Sequence, residues 1–270
     1  MLASMIRRNF LGQISSLAAS GWLGACAPAT KPAAQSASGA RLPQPRAKIG
    51  AICFDLFTLF DPRSVETVAR SIVGDAAGDF CEAWRARQFQ YAFLRAAAGR
   101  YADFRQVSED ALVFTAKSRG LAISAADRDR LVGAYSRLEP WPDTRATLSE
   151  LRAAGLRLAP LANYAPSMLA PLLDGADLRR YFEASISTDA ARTYKPDPRA
   201  YALGVSVLGL PRERIAFAAF GGWDAAGAKW FGYPTFWVNR LGVASEELAP
   251  APDGSDPTLA ELTNFVSSWA

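Results

Sequence analysis

The chain has 270 residues, of which half are hydrophobic and 21% are charged, and its net charge is +4. This composition suits one globular domain with at most a smaller insert, and the mild charge gives little support for nucleic-acid binding. The sequence contains no histidine, which excludes serine–histidine hydrolases, histidine general acid–base enzymes and most zinc enzymes. Any chemistry must therefore use carboxylates, Lys, Arg, Tyr, Ser, Thr or Cys.

The first residues indicate export. Arg7 and Arg8 precede a moderately apolar run that ends in "LGAC", and this order is typical of an export signal over 1–25. "RRNFL" resembles a twin-arginine signal. "LGAC" resembles a lipobox, which predicts lipidation of Cys26. Ordinary cleavage near Ala27 and an uncleaved anchor are the alternatives.

Residues 26–47 are rich in Ala, Pro and Ser and lack hydrophobic periodicity. Such a stretch buries too little apolar surface to offset its ordering entropy, so we predict a disordered tether. The expected location is the periplasm, with a lipid anchor at Cys26 as the expected membrane contact. The folded part is predicted to begin near Lys48.

From there the hydrophobic pattern alternates between strands and helices. "KIGAICF" predicts a first strand, and the stretch from Ser64 to Leu138 predicts helices without a strand, one of them capped by Ser124. "LRLAPLA", "FEASIST", "RIAFAAF" and "PTFWVN" then predict further strands separated by helices, with "PTFWVN" as the last clear one. This alternation predicts an α/β fold with a parallel sheet, and a helical insertion after its first strand.

Ligands bind beyond the carboxyl ends of strands in open α/β sheets. Asp55 ends the first predicted strand and Asn163 follows the second core strand, while Lys195 and Asp224 follow the next two. These side chains should converge at one edge. We interpret them as a site for covalent catalysis by Asp55, which Lys195 would hold ionised and oriented.

Four stretches, "CFDLFTLFD", "LANYAPSML", "TYKPDPRAYAL" and "GGWDAAGAKWFGYPTFWVNR", resemble the four motifs of the haloacid dehalogenase superfamily, in the same order. "AWRARQFQYAFLRAAAGRYADF" is similar to the cap of (S)-2-haloacid dehalogenases, the type II haloacid dehalogenases. The resemblance spans 48–270. It implies a Rossmann-like parallel-sheet core over 48–62 and 140–270, and a helical cap over 63–139.

In that family an aspartate attacks C2 of a 2-haloacid and displaces halide with inversion, and water then hydrolyses the aspartyl ester. The resemblance implies that Asp55 is the nucleophile, that Lys195 pairs with it, and that Asp224 activates water or holds Lys195. Substrate and halide contacts are implied for the remaining motif residues, which are Arg85, Asn163, Tyr201 and Thr58.

The resemblance also bears on cofactors and partners. Phosphatase members carry a second aspartate where this chain has Phe57, so a magnesium phosphatase is disfavoured and neither metal nor cofactor is expected. Phe57, Tyr164 and Trp223 are expected to form apolar walls around a small substrate. A homodimer is common among the relatives and is a further expectation.

The chain departs from the family pattern at its uncharged positions. One residue is missing between Asp55 and Thr58, which removes about 3.5 Å of reach. Ala162 stands where a serine is expected, and the triplet 219–221 reads "AFG" in place of "SSN". These losses favour a second hypothesis, a catalytically impaired exported homologue that binds a small anion or a partner protein. Hydrolysis of an unrelated ester or phosphate ranks third.

Single residues also have simpler interpretations. Asp55 could cap a helix or turn, Arg85 could pair on the surface, and Lys195 could be a solvated loop lysine. Asp224 could be the N-cap of "AAGAKWFG". The four motifs together favour the functional interpretation.

Overall fold

The computed structural model describes residues 47–269. The predicted export signal over 1–25, Cys26 and all of the predicted tether except Ala47 lie outside the described residues. None of the helices within 47–269 has the length and apolar character needed to cross a membrane.

The eight strands are β1 (Ala51–Phe54), β2 (Phe60–Asp61), β3 (Glu139–Pro140), β4 (Arg157–Ala162), β5 (Ile186–Ser187), β6 (Ile215–Ala219), β7 (Thr235–Val238) and β8 (Gly254–Asp256). The α-helices are α1 (Leu56–Leu59), α2 (Val65–Val73), α3 (Ala77–Ala97), α4 (Phe104–Ser118), α5 (Ala125–Ala134), α6 (Thr144–Ala153), α7 (Pro166–Gly175), α8 (Pro198–Leu208), α9 (Gly222–Phe231) and α10 (Leu262–Ser267).

Six parallel strands form the main sheet in the order β5–β4–β1–β6–β7–β8. Side chains alternate between its faces, so Ile52 and Phe54 join one apolar cluster while Ala51 and Cys53 join another. Both faces are therefore covered, as a parallel sheet requires. The predicted α/β fold with a parallel sheet is confirmed.

Residues 62–138 lie between β2 and β3 and contain α2 to α5; we call them the helical segment. β2 and β3 pair antiparallel, with Phe60 opposite Pro140, so the chain enters and leaves the segment at neighbouring points. Ser124 caps α5 as predicted, because its Oγ accepts the Asp127 N–H at 3.1 Å. One apolar cluster includes Trp84 and Leu112 of the segment together with Phe54 of the sheet.

Two details of the sheet concern β8 and Pro160. β8 follows β7 and was not predicted, because it has only three residues and no hydrophobic pattern; "PTFWVN" remains the last strand with a clear pattern. Pro160 lies within β4, where a missing N–H is expected to break a ladder bond. The Arg157 N–H donates to the Gly50 oxygen, on the β1 side of β4. Backbone N–H groups alternate in direction along a strand, so the nitrogen of Pro160 faces the β5 side. There, β5 pairs with Leu161 and Ala162 and not with Pro160.

Candidate active site

Three strands of the sheet deliver polar side chains to one edge. Asp55 follows β1 directly, Asn163 follows β4, and Asp224 lies in the first turn of α9 after β6. Asp55 also caps α1, since its Oδ2 accepts the Phe57 N–H at 3.1 Å. The predicted convergence at the carboxyl edge is therefore present, and for Asp55 the capping and site positions coincide.

Lys195 lies between the two carboxylates. Its Nζ is 2.6 Å from Asp55 Oδ1 and 2.8 Å from Asp224 Oδ2. The side chains of Lys195 and Asp224 are 0% and 1% exposed, whereas that of Asp55 is 14% exposed. The ammonium thus holds one buried and one accessible carboxylate, and the accessible one can reach a ligand.

Burial and charge act against each other in this group. Burial lowers the pKa of Lys195, but the charges of Asp224 and Asp55 outweigh it and raise that pKa above its ordinary value. Burial raises the pKa of Asp224 to about 6, against the lowering effect of Lys195. Lys195 is therefore a fixed positive charge near neutral pH, while Asp224 titrates just below neutrality.

Asn163 positions the loop that carries Lys195. Its Oδ1 accepts the Lys195 backbone N–H at 2.9 Å and the Thr188 hydroxyl at 3.4 Å. Because these contacts use the carbonyl oxygen, the two N–H donors of the Asn163 side chain are left for other partners.

Tyr201 contacts the carboxylate oxygen of Asp224 that Lys195 does not contact. Its hydroxyl donates to Asp224 Oδ1 at 2.6 Å, and its side chain is fully buried. A Cβ on Gly227 would lie 2.5 Å from the same hydroxyl, so a glycine is needed there for α9 to approach α8. The structure thus places the Tyr201 hydroxyl against Asp224, and Tyr201 is not among the residues that line the cavity at Asp55.

Replacing Tyr201 with Phe is expected to reduce the free energy of unfolding by about 2 kcal/mol, because a buried carboxylate loses a hydrogen-bond donor. Urea unfolding measures the change. Tyr181→Phe serves as the control; Tyr181 is half-buried and its hydroxyl accepts a solvent-exposed hydrogen bond from Arg180, so we expect a change within about 0.5 kcal/mol. Equal losses in the two variants would contradict the assigned contact.

Asp55 opens into a cavity of about 80 Å³ that we call the aromatic cavity. The predicted wall residues Phe57, Tyr164 and Trp223 line it, as does Asn163. The other lining residues were not predicted; they are Leu56, Phe89, Phe104, Phe220 and Gly221. Six aromatic side chains therefore surround one carboxylate and one amide, in a space that suits a ligand of a few atoms.

Two walls of this cavity come from the helical segment. Phe89 on α3 lies 5.4 Å from Trp223, and Phe104 on α4 stacks on Tyr164 at 5.4 Å between ring centroids. Gly221 leaves room for Trp223, because a Cβ there would lie 2.7 Å from the indole nitrogen. Phe89 was recognisable in the sequence only as one position of a helical pattern, since periodicity does not reveal which residue faces a ligand.

Thr58 and Arg85 are not brought into the aromatic cavity. The Thr58 hydroxyl is buried and donates to the backbone oxygen of Asp55 at 2.6 Å. Arg85 is half-buried on α3 and makes no hydrogen bond or ion pair with other residues of 47–269. Burial raises the pKa of the Tyr164 hydroxyl well above its ordinary value, and the positive charge of Arg85 partly lowers it.

Asp224 is not the N-cap of its helix, contrary to the simpler interpretation. α9 begins at Gly222 with Gly221 as its N-cap, so Asp224 occupies the third helical position. The first turn favours a negative charge because the positive end of the helix dipole lies there. Asp224 is thus held by the helix and by Lys195 together.

Comparisons with known proteins show which family the chain belongs to. Residues 49–232 match the family model described as haloacid dehalogenase-like hydrolase. The chain is 40% identical over 223 residues to the (S)-2-haloacid dehalogenase of Pseudomonas sp. (strain YL), an alignment that covers 82% of this chain and 96% of the relative. It is 37% identical to haloacetate dehalogenase H-2 of Moraxella sp. (strain B), over 82% and 99% of the two chains.

The chain belongs to the haloacid dehalogenase-like hydrolase family. Among solved structures, it resembles L-2-haloacid dehalogenase of Xanthobacter autotrophicus with chloropropionic acid covalently bound. The TM-score is 0.78 and the identity 36%, over 82% of this chain and 100% of the other. The predicted family resemblance and fold are thus confirmed.

The shortened first motif has a visible result in this family member. Because α1 begins at Leu56, immediately after Asp55, the backbone N–H of Thr58 donates to Asp55 O at 3.1 Å. The Thr58 hydroxyl donates to the same backbone oxygen at 2.6 Å. The Thr58 hydroxyl therefore donates to the backbone oxygen of Asp55 and not to its carboxylate.

Proposed function

We propose that the protein hydrolyses the carbon–halogen bond of short (S)-2-haloacids through an aspartyl ester on Asp55, without a metal ion. The observation that carries this proposal is the Asp55 carboxylate, which is open to the aromatic cavity and paired with the buried Lys195. The names of the relatives supply the substrate class.

In the first step, an Asp55 carboxylate oxygen attacks C2 of the haloacid, the carbon–halogen bond breaks with inversion, and halide leaves. The Lys195 ammonium pairs with Asp55 at 2.6 Å and orients it for this attack. The Asn163 amide group can donate to the departing halide, and the positive edges of the surrounding aromatic rings favour an anion there. The buried Tyr164 hydroxyl has no hydrogen-bond partner within 47–269, and such groups are usually satisfied by a ligand or water.

In the second step, water attacks the ester carbonyl carbon of Asp55 and releases the 2-hydroxyacid. Asp224 accepts a proton from that water through the network it shares with Lys195, and a proton passes to the 2-oxygen of the hydroxyacid as the ester C–O bond breaks. This assignment uses the raised pKa of Asp224, which makes it a better base than an ordinary aspartate. Tyr201 holds Asp224 from behind as a positioning residue.

The residues do not fit a divalent cation. Lys195 Nζ already lies between the carboxylates of Asp55 and Asp224, where a second positive charge would be repelled. Within 47–269, there is no cluster of three or more Cys, Asp and Glu side chains that could hold a metal ion. Asp55 therefore acts in this proposal through its pairing with Lys195.

We further propose that the helical segment acts as a cap over Asp55, since Phe89 and Phe104 close the cavity from that side. Export to the periplasm with lipidation at Cys26 is proposed from the N-terminal sequence. Growth with labelled palmitate tests the lipidation. We expect the label in the parent chain and not in the Cys26→Ser variant.

The decisive experiment measures chloride and lactate released from (S)-2-chloropropionate by the full chain, with and without EDTA. We expect equimolar products, inversion to (R)-lactate, no effect of EDTA and little release from the (R) substrate. A folded protein that releases no chloride would refute the proposal. That result would favour a binding protein for a small anion, which the Thr58 orientation and the residues Ala162 and Gly221 also favour.

The pH profile should follow Asp224. Below about pH 6 its carboxylate is protonated, so it can neither accept a proton from water nor pair fully with Lys195. We expect kcat to fall about tenfold for each pH unit below that value, and Lys195 to impose no alkaline limit near neutrality because its pKa is raised. A kcat that stays constant down to about pH 4, the range of ordinary aspartates, would contradict this assignment.

A further inference from the structure

A second cavity lies where the end of α3 meets the residues before and within α8, and it shares no residue with the aromatic cavity. Its volume is about 400 Å³. Arg95, Arg100 and Tyr101 line it from the helical segment, and Arg192 and Arg199 line it from the core. We call it the arginine cleft.

The arginine cleft carries more positive charge than its neighbours neutralise. Arg95 pairs with Asp110 at 2.6 Å, and Arg199 pairs with Asp197 at 2.6 Å. Within residues 47–269, the guanidinium groups of Arg100 and Arg192 make no hydrogen bond or ion pair, and no carboxylate lines the cleft. Two of the four guanidinium groups that line the cleft are therefore neutralised by aspartates, and the charges of Arg100 and Arg192 remain available to an anion.

Arg192 has an unusual backbone conformation and its guanidinium lies against an aromatic ring. Its backbone adopts the left-handed conformation, with φ 48° and ψ 46°, which non-glycine residues rarely adopt and which often marks functional sites. Its guanidinium lies 5.1 Å from the centroid of the Tyr101 ring, and the Tyr101 hydroxyl donates to Asp189 at 2.6 Å. The guanidinium is therefore positioned by a ring, while its N–H groups have no acceptor among residues 47–269.

We propose that the arginine cleft binds a polyvalent oxyanion, a small molecule with two or more phosphate or carboxylate groups. Guanidinium forks bind both groups through paired N–H donors, and the volume falls within the range of small-molecule sites. Because the arginines come from both the helical segment and the core, the bound anion joins the two parts.

Calorimetric titration of the full chain with pyrophosphate and, separately, with citrate tests the proposal at fixed ionic strength. We expect one site per chain and a rise in Tm of about 3–6 °C at ten times Kd. The test variant combines Arg100→Gln with Arg192→Asn, because asparagine tolerates the left-handed backbone. The control combines Arg70→Gln with Arg137→Gln, which removes the same charge from exposed residues outside the cleft.

The test variant should bind at least about tenfold more weakly than the parent, since two charged hydrogen-bonding groups are lost, and the control should bind like the parent. Binding of either probe with this pattern supports the proposal, and binding of only one identifies the oxyanion group. No binding at about 10 mM of either probe, or equal binding by test and control variants, overturns it.

Discussion

Replacing Asp55 with asparagine is expected to reduce halide release at least about 10⁴-fold, because an amide is a poor nucleophile and loss of a nucleophile removes the covalent route. The fold should persist, since Lys195 keeps its partner Asp224 at 2.8 Å. Halide release from (S)-2-chloropropionate, with circular dichroism to verify folding, measures the effect. Asp61→Asn is the matched control, because Asp61 pairs with Arg63 away from the aromatic cavity.

Turnover in ¹⁸O-labelled water separates a covalent from a direct route. Hydrolysis of the ester at its carbonyl carbon places the solvent oxygen on the Asp55 carboxylate. Mass spectrometry of the peptide that contains Asp55 should therefore detect label after repeated turnover. Label found in lactate from a single turnover, with none in that peptide, would mean that water attacks the substrate directly.

Lys195→Met is expected to lower the free energy of unfolding by about 3–5 kcal/mol, because it leaves the paired carboxylates of Asp55 and Asp224 without their buried counter-charge. Halide release should fall by about 10²–10³-fold in the folded fraction, as for loss of one preorganised donor. Chemical unfolding and halide release measure the two effects. Lys229→Met is the control, since Lys229 also pairs with an aspartate at 2.8 Å but is partly exposed; we expect about 1 kcal/mol or less.

A second substitution tests the cause of that loss. Adding Asp224→Asn to Lys195→Met removes one of the two unpaired carboxylates, so part of the lost stability should return while halide release stays low. A Lys195→Met variant no less stable than Lys229→Met would contradict the assigned role of the buried ammonium.

Much of the candidate site was predictable because topology determines it. Parallel strands place their carboxyl ends at one edge, so Asp55, Asn163 and Asp224 could be brought together from strand order alone. The position of Lys195 was predicted from the family motif that contains it. The wall residues Phe57, Tyr164 and Trp223 were likewise predicted from the motifs in which they lie.

Other features depend on geometry that the sequence does not encode locally. The direction of the Thr58 hydroxyl depends on where α1 begins, and the contact between Tyr201 and Asp224 depends on how closely α9 approaches α8. Phe104 faces the aromatic cavity only because α4 packs against the sheet edge. The short strand β8 lacks a hydrophobic pattern and forms by pairing with β7.

The apolar cluster that includes Trp84, Leu112 and Phe54 crosses the boundary between the helical segment and the sheet. Neither part can melt without exposing apolar surface of the other, so the two should unfold in a single cooperative transition. Equal calorimetric and van't Hoff enthalpies of unfolding would indicate that single transition. Substitutions in either part would then lower the same melting temperature, and resistance to proteolysis would be a property of residues 48–269 as a whole.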